Sequence, residues 1–448
     1  MVIEAIRNPG EPDANIPVLL ESWGFEPDSF PDILEKLQSP DRPHNIGIDV
    51  GTTALDFKQK GDFSGDPYMG SLALIGPDNI VESTGVIFEE PSLESLRTAH
   101  AGGIGNAANA VASVLRATRE TPQPTWAVMA WLGGDDVGNI WRDGIEDVDK
   151  SLLRVHPTIP YSGLSVVLIQ APGFATETVP AGERAIYFRA GASGATEFSK
   201  EHLVEILKRE PFNVNISYPG LFPDGADRSK GENLGWFVGQ AQKVCPCVSM
   251  DTHGFTRLEH IEQALPYIDM FNSNFTDAAR VFLGETVNEY LTDDEKMKVY
   301  GEISAEIREK YVRSEVASKD RCRMFTITDR KGTFLIFINP KLNIITNEYL
   351  PSPCAAIPAK DKTGAGDVRF GLQRLYVAIR VNRKWEMGQF KWDEARIAVN
   401  IGQIGTALHL QGKEAHALEG VSIDALEKLA RSGNEFGDLE GLKRALAE

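Results

Sequence analysis

Cysteine is scarce in this chain of 448 residues, which has only Cys245, Cys247, Cys322 and Cys354. So few cysteines exclude a disulfide framework for a protein of this size and favour a reducing compartment, so a cytoplasmic location is predicted. Cys245 and Cys247 have no companion Cys or His pair at zinc spacing, and an apolar run follows them. We therefore interpret both as packed thiols.

Basic charge and long apolar runs are also lacking. The chain has 46 Lys and Arg residues against 64 Asp and Glu residues, for a net charge of −18. Nucleic acids and anionic membranes require a basic footprint, so neither is predicted as a partner, although a local basic pocket for phosphate is compatible with this balance. No run of about 18 apolar residues exists, and no transmembrane helix is predicted.

Helical stretches separate short apolar runs along most of the chain. The runs include His44–Gly51, Val214–Ser217, Val248–Asp251 and Met270–Ser273, and Lys200–Arg209 is one of the helical stretches between them. Alternating strands and helices predict an α/β fold, namely a doubly wound, mainly parallel sheet with helices on both faces.

Residues 44–448 are predicted to form one domain, and three segments of the chain depart from the alternation, one before this domain and two within it. Residues 1–43 are rich in proline and form an N-terminal extension with a short amphipathic helix near Asp32–Leu37. Short apolar runs alternate with Gly and Asp over Asp56–Gly85, a pattern typical of strands and hairpins. Residues 285–320 are charged and helical in pattern, which predicts a solvated helical insertion.

The most informative segment is Asp361-Lys362-Thr363-Gly364-Ala365-Gly366-Asp367. Its small residues leave backbone N–H groups uncovered, and a helix starting here would add about half a positive charge for an incoming anion. An aspartate in such a turn would repel the bound anion. Its presence is explained if the carboxylate takes a proton from a hydroxyl that attacks a phosphoryl group. The competing interpretation is a tight glycine turn with the aspartate as helix cap.

A second glycine segment offers hydrogen-bonding groups to a hydroxylated ligand. Gly102 and Gly103 allow close approach of the backbone, and the side chains of Asn106 and Asn109 supply donors and acceptors. Taken alone, the same residues also suit a glycine-rich helix start.

Two strand ends carry further polar residues. The run after Val50 is predicted to place Asp56 near the carboxyl edge of the sheet, where ligands of open α/β sheets bind. Asn274 and Asp277 follow the strand at Met270–Ser273 with a spacing suited to Mg²⁺ and phosphate held through water. A helix cap at Asn274 is the competing interpretation.

Taken together, these segments resemble the PfkB (ribokinase-like) family of carbohydrate and nucleoside kinases. The family signature Asp-x-Thr-Gly-Ala-Gly-Asp is matched at residues 361–367, and Asn274–Asp277 resembles its Asn-x-x-Glu motif with Asp in place of Glu. The resemblance runs from about residue 45 to about residue 420. It implies a ribokinase-like fold with a small β-rich lid formed by strands within about residues 57–100.

The resemblance also implies an activity, ATP-dependent phosphoryl transfer to a hydroxyl of a sugar or sugar-like small molecule. Asp367 would be the general base, and Gly364, Ala365 and Gly366 would form the anion hole. The other implied residues are Asp56, Gly102, Gly103 and either Asn106 or Asn109 for the substrate, Asn274, Thr328 and Asn400 for the nucleotide, Asp277 for Mg²⁺ through water, and Asp361 and Thr363 for a monovalent cation such as K⁺.

Two positions depart from the family pattern. Phe370 lies one residue further from Asp367 than is usual, and Thr328 stands where the family normally has glycine. The acceptor stays open among pentoses, hexoses, heptoses, nucleosides and non-sugar compounds. The signature favours ATP as donor, although a related branch uses ADP, and family members often form homodimers through their lids.

Two other interpretations fit parts of the sequence. A chain of this fold can retain its pocket as a catalytically silent scaffold or regulatory protein. The run Asp49–Thr53 also resembles the first phosphate motif of actin-like sugar kinases, but the second phosphate motif of that class is absent. A P-loop ATPase is excluded because the chain has no Gly-x-x-x-x-Gly-Lys-Ser/Thr run.

Overall fold

The structure, a computed structural model, describes most of the chain. The described residues are 16–38, 45–63, 72–74, 100–118, 124–176, 179, 183–195, 198–221, 232–252, 256–287, 291–312, 321–357, 364–410 and 418–447.

Nine strands form a large sheet in the order β14-β13-β12-β11-β10-β9-β1-β5-β6. Their bounds are β1 Asn45–Gly51, β5 Thr125–Leu132, β6 Asp149–Val155, β9 Asn213–Ser217, β10 Cys247–Thr252, β11 Met270–Asn274, β12 Arg323–Thr328, β13 Gly332–Asn339 and β14 Ile344–Pro351. The seven strands from β12 to β6 pair in parallel, and only β13 and β14 are antiparallel. The predicted mainly parallel sheet is therefore confirmed.

Five more strands form a second sheet, here called the lid sheet. They are β2 Thr53–Gly61, β3 Leu72–Leu74, β4 His100–Gly103, β7 Leu164–Gln170 and β8 Arg184–Arg189, in the order β3-β8-β7-β2-β4. Two of these strands come from beyond the range in which lid strands were predicted. The run Leu164–Gln170 is buried throughout, so its apolar pattern does not distinguish a lid strand from a central parallel strand.

Helices cover both faces of the large sheet. They are α1 Ile16–Ser22, α2 Phe30–Gln38, α3 Ile104–Ala117, α4 Asp136–Asp143, α5 Lys200–Arg209, α6 Glu232–Val244, α7 Leu258–Ile261, α8 Phe275–Leu283, α9 Asp293–Glu306, α10 Ala365–Tyr376, α11 Asn382–Glu386, α12 Trp392–His409, α13 Ile423–Ser432 and α14 Leu439–Ala447. One apolar core lies beneath α5, α6, α8 and α9, and the other beneath α3, α10, α12 and α13. None of the helices in the described part of the chain is long and apolar enough to span a bilayer.

The N-terminal extension packs on the first of these cores. Leu20 and Trp23 are buried in it, and the Trp23 indole donates to the side-chain oxygen of Gln240 at 3.1 Å. The predicted amphipathic helix corresponds to α2, which buries Ile33 and Leu37. The extension is therefore a packed arm along its described residues.

The helix α9, within the segment predicted to be a solvated insertion, buries one of its faces. Tyr300 and Ile303 are fully buried, and Lys296 is only 7% exposed. The Lys296 ammonium lies 3.4 Å from the Asp329 carboxylate and over the ring of Phe275. The charged residues at exposed positions made the sequence of this helix look solvated throughout. A few buried residues are nevertheless enough to pack a helix against the core.

A buried ion pair ties α10 to the centre of the large sheet. Arg374 Nη1 lies 2.7 Å from Asp49 Oδ1, and both residues are essentially inaccessible to solvent. The Trp126 indole and the Asn215 amide also donate to the Asp49 carboxylate. Asp49 is thus part of the structural core, which argues against the role that an actin-like kinase would require of it.

The four cysteines are buried free thiols, as predicted for Cys245 and Cys247. Burial raises the pKa of Cys245 to about 12, so the thiol stays protonated and unreactive at neutral pH.

Candidate active site

The first turn of α10 is the predicted anion-binding turn, and its Asp367 contacts Tyr218, which follows the carboxyl end of β9. Gly364 precedes the helix with φ of +74°, and a Cβ there would lie 2.7 Å from Asn106 Cγ, so both backbone and space require glycine. Val368 N donates to Gly364 O at 2.9 Å as the first hydrogen bond of the helix. The N–H groups of the first helical turn, such as those of Ala365 and Gly366, point out of its positive end.

Asp367 lies in that turn and is only 5% exposed. The Asn106 amide donates to Asp367 Oδ2 at 3.1 Å. The Tyr218 hydroxyl donates to both carboxylate oxygens, at 3.0 Å to Oδ1 and 3.2 Å to Oδ2. These donors hold the carboxylate in one orientation beside the anion-binding turn, which is the arrangement a general base requires.

Asp56 stands on the lid strand β2 and faces the same region. It is 6% exposed, and Ser165 of β7 is its partner in the register of the lid sheet. Burial raises the pKa of Asp56 to about 7, and the nearby charge of Asp367 adds to the rise, while Lys58 and Arg184 oppose it. Such a carboxyl group titrates near neutral pH and can accept hydrogen bonds from hydroxyl groups when ionised.

Gly102 and Gly103 join this pocket through the pairing of β4 with β2. A Cβ on Gly102 would overlap the Asp56 carboxylate, so the backbone of β4 closes directly on that acid. Gly103 then leads into α3, which carries Asn106. The predicted substrate residues Asp56, Gly102, Gly103 and Asn106 are thus brought together beside Asp367.

Asn109 lies elsewhere. Its amide donates to Gly144 O at 3.0 Å, and its side-chain oxygen accepts from Glu146 N at 3.1 Å. Both ends of this side chain therefore hold the loop after α4, whereas Asn106, one turn earlier on α3, reaches the aspartate.

The residues predicted for the nucleotide side lie along β11, β12 and α12. Asn274 caps α8 by accepting from Asp277 N at 2.8 Å, and its amide donates to the Asp277 carboxylate. Arg280 forms an ion pair with the same carboxylate. Thr328 donates to Ser273 O at 3.3 Å.

The other predicted positions carry less structural detail. Asn400 is half-buried in the middle of α12. Asp361 and Thr363, predicted to bind a monovalent cation, lie outside the described residues. The described residues hold no group of three or more His, Cys, Asp or Glu side chains arranged for a metal ion.

Tyr218 is the site residue that the sequence analysis missed. It follows β9 and precedes Pro219, and its φ of +58° is unusual for a residue with a bulky side chain. Burial and the charge of Asp367 raise the pKa of the Tyr218 phenol well above its usual value, so the group remains a donor. An aromatic residue before Pro-Gly at the end of a strand beside β1 was the only sequence signal for it.

We predict that Tyr218→Phe shifts the acid limb of the pH profile of kcat/KM to higher pH by about one unit. A hydrogen bond donated to a carboxylate favours its ionised form, so losing the Tyr218 hydroxyl makes the Asp367 carboxylate easier to protonate. Tyr376→Phe is the matched control, because that hydroxyl meets Arg431 at the far end of α10. A profile identical to that of the wild type would show that the contact has no influence on Asp367.

Comparison with known proteins places this geometry in a known fold. No family model matches the chain, and no curated protein matches its sequence. Among solved structures, Anopheles gambiae adenosine kinase is similar with a TM-score of 0.56 and 15% identity, covering 84% of this chain and 98% of that one. Arabidopsis thaliana ribokinase, complexed with ribose and ATP, has a TM-score of 0.53 and 16% identity, and the match covers 87% of this chain and 99% of that one.

A fructokinase from Xylella fastidiosa with bound ATP is similar to the same degree. Its TM-score is 0.54 at 14% identity, and the match covers 87% of this chain and 99% of that one. The chain therefore has the ribokinase-like fold found in PfkB sugar and nucleoside kinases, as its motifs predicted.

Proposed function

We propose that the protein transfers a phosphoryl group from ATP to a hydroxyl of a sugar or sugar-like small molecule. One observation carries this proposal: Asp367, held by Asn106 and Tyr218, lies in the first turn of α10, whose backbone N–H groups point out of the positive end of the helix. A base and an anion hole side by side are what phosphoryl transfer to a hydroxyl requires. The ATP-bound ribokinase and fructokinase that share the fold support a nucleotide donor.

At the acceptor end, Asp367 takes the proton of the attacking hydroxyl. Asp56, backed by the Gly102 backbone, accepts hydrogen bonds from neighbouring hydroxyls and so orients the acceptor. Gly364, Ala365 and Gly366 stabilise the charge that develops on the transferred group. The lid sheet, which carries Asp56, restricts the access of water to this end of the site.

At the donor end, Asn274, Thr328 and Asn400 are the proposed nucleotide contacts. Mg²⁺ that is bound to nucleotide phosphates needs only one or two protein carboxylates, and Asp277 at the start of α8 fits that limited role. The pairing of Asp277 with Arg280 and Asn274 fits contact through water rather than direct ligation. The ion would neutralise phosphate charge, and K⁺ at Asp361 and Thr363 remains a prediction.

We predict that Asp56→Asn makes the protein more stable than the wild type at pH 7 to 8. The folded-state pKa of Asp56, about 7, lies above its unfolded value. Between about pH 4 and 7 the native state therefore binds more protons than the unfolded state, so stability falls as pH rises through this window. Urea unfolding across pH 4 to 8 should show a gain for the variant of about 2–4 kcal/mol above pH 7, shrinking toward pH 4. A gain in the free energy of unfolding that does not vary with pH would contradict the raised pKa of Asp56.

A thermal-shift panel tests the proposed function. Ligands that bind only the native state raise its stability by mass action, so pentoses, hexoses, heptoses, nucleosides and polyols are compared with and without a non-hydrolysable ATP analogue. We expect the analogue to raise Tm and one class of acceptor to raise it further. If the analogue binds and no acceptor does so, the protein is a silent scaffold of this fold rather than a kinase.

A further inference from the structure

Arg369 is a charged residue of α10 that has neither a part in the proposed function nor, unlike Arg374, an ion pair in the core. It lies two residues after Asp367, where the family pattern has the phenylalanine that this chain carries at position 370. Phe370 is fully buried in the core, whereas Arg369 packs its backbone and Cγ against Gly402 of α12. The shift of the phenylalanine therefore turns an arginine toward the side of α10 that faces α12 and β12.

Arg369 is partly exposed and has no ionic partner among the described residues. Its Nε is shielded from solvent and has no hydrogen-bond partner there, and no ion pair among those residues includes it. Loss of solvation lowers the pKa of Arg369, while Asp329 is the largest of the charges that oppose this. A partly exposed guanidinium that lacks a contact partner among these residues is available to an incoming anion.

Asp329 makes no hydrogen bond or ion pair with Arg369 among the described residues. Its Oδ1 accepts from the Tyr349 hydroxyl at 2.7 Å and from the Lys331 and Gly332 backbone N–H groups at 2.8 and 2.9 Å. Lys296 of α9 pairs with the same carboxylate at 3.4 Å. Lys296, Asp329 and Tyr349 are thus in contact with one another, and the charge of Arg369 acts on the same acid from α10. We call this group of two cations around one acid the cationic slot.

The position of the slot identifies its occupant as an anion continuous with the anion-binding turn. Arg369 is one turn from Ala365, about 6 Å along the helix axis. Side chains on a helix lean toward its N-terminus, so the guanidinium leans toward the turn that holds the transferred phosphate. An anion extending from this turn toward α12 passes the slot, and a phosphate chain has this shape and charge.

We propose that Arg369 binds the phosphate chain of the donor nucleotide, with Lys296 as the second cation of the slot. The identity of the anion as a nucleotide rests on the proposed function. The planar guanidinium suits the bidentate recognition of phosphate oxygens. The inserted helix α9 then contributes to the donor end rather than serving only as a surface element.

Calorimetric titration of four probes tests this proposal. ADP, a non-hydrolysable ATP analogue, inorganic tripolyphosphate and adenosine are each titrated into the wild type, Arg369→Met, Arg369→Lys and the exposed control Arg444→Met. We expect Arg369→Met to weaken the three phosphate-bearing probes about 10- to 100-fold and to leave adenosine unchanged. Arg369→Lys should recover part of the loss, because it keeps the charge but not the fork.

Three results would overturn the proposal: equal affinities of the wild type and Arg369→Met for phosphate-bearing probes, an equal loss for adenosine, or no binding of such probes by the wild type. Tripolyphosphate distinguishes a site for free phosphates from one that also needs the nucleoside. These titrations measure binding and not turnover. Arg369 can bind nucleotide in a protein that transfers no phosphate, and a protein that transfers phosphate can bind its nucleotide without Arg369. Failure of the inference and failure of the proposed function are thereby separable.

Discussion

Asp367→Asn lowers kcat by about 10²- to 10⁴-fold, the range expected when a positioned general base is removed. The asparagine keeps the size of the side chain and can still accept from the Tyr218 hydroxyl, which lies 3.0 Å from Oδ1 in the wild type. It cannot take the proton of the acceptor hydroxyl. The loss corresponds to about 3–5 kcal/mol of transition-state stabilisation.

The affinity for nucleotide separates this effect from misfolding. The anion-binding turn consists of backbone N–H groups, so the ATP analogue should bind Asp367→Asn about as well as the wild type, or more tightly because a negative charge has been removed. Steady-state kinetics and titration of the analogue are measured on the same preparations. Unchanged turnover in the variant would rule out the aspartate as the base.

Arg374→Met destabilises the protein by about 3–5 kcal/mol, because it leaves the Asp49 carboxylate buried without its partner. Asp49 is inaccessible to solvent and depends on Arg374, Trp126 and Asn215 for its hydrogen bonds. The Arg374 guanidinium also packs over the rings of Trp126 and Phe370. The measurement is the free energy of unfolding from urea titration at pH 7.

The double variant Asp49→Asn with Arg374→Met is the decisive comparison. Removing both charges relieves the uncompensated burial, so we expect it to recover much of the stability lost by the single variant. Lys443→Met, which removes an exposed ion pair with Glu440, should cost less than about 1 kcal/mol. A double variant as unstable as Arg374→Met would show that packing, rather than charge, sets the cost.

The architecture of the large sheet could be predicted because its signals are local. Apolar runs such as Val248–Asp251 and Met270–Ser273 appear as β10 and β11 within one or two residues at each end. The signature turn was likewise predictable, since Gly364 and the following helix are specified by neighbouring residues. The lid sheet was only partly predictable, because β7 is a buried run that looks like a central strand.

The contacts that shape the site were less accessible from the sequence, because they join distant segments. Tyr218 and Asp367 are separated by 149 positions, and Asp49 and Arg374 by 325. No local pattern encodes such a contact, so the sequence indicated only an apolar run and a phosphate-motif resemblance around Asp49, and no role for Tyr218. Similarly, Asn106 and Asn109 are equivalent in a motif, and only the packing of α3 separates them.

Phe370, which lies one residue further from Asp367 than in the family pattern, is a departure whose consequence is visible only in the structure. In the sequence it marked an irregular helix start, with no indication of what replaced the phenylalanine. In the structure, Phe370 and Arg374 lie on the core side of α10, and Arg369 packs against Gly402 of α12. One displaced residue thus changes the charge of the slot beside the anion-binding turn.

Transfer of the γ-phosphate, followed by ³¹P NMR, tests the central claim most directly. ATP, Mg²⁺ and the acceptors selected by thermal shift are incubated with the wild type and with Asp367→Asn. The account predicts a new phosphate monoester signal that appears with the wild type in step with ADP and is reduced at least about 100-fold in rate with the variant. A phosphate monoester formed equally fast by both proteins, or no monoester from any bound acceptor, would contradict it.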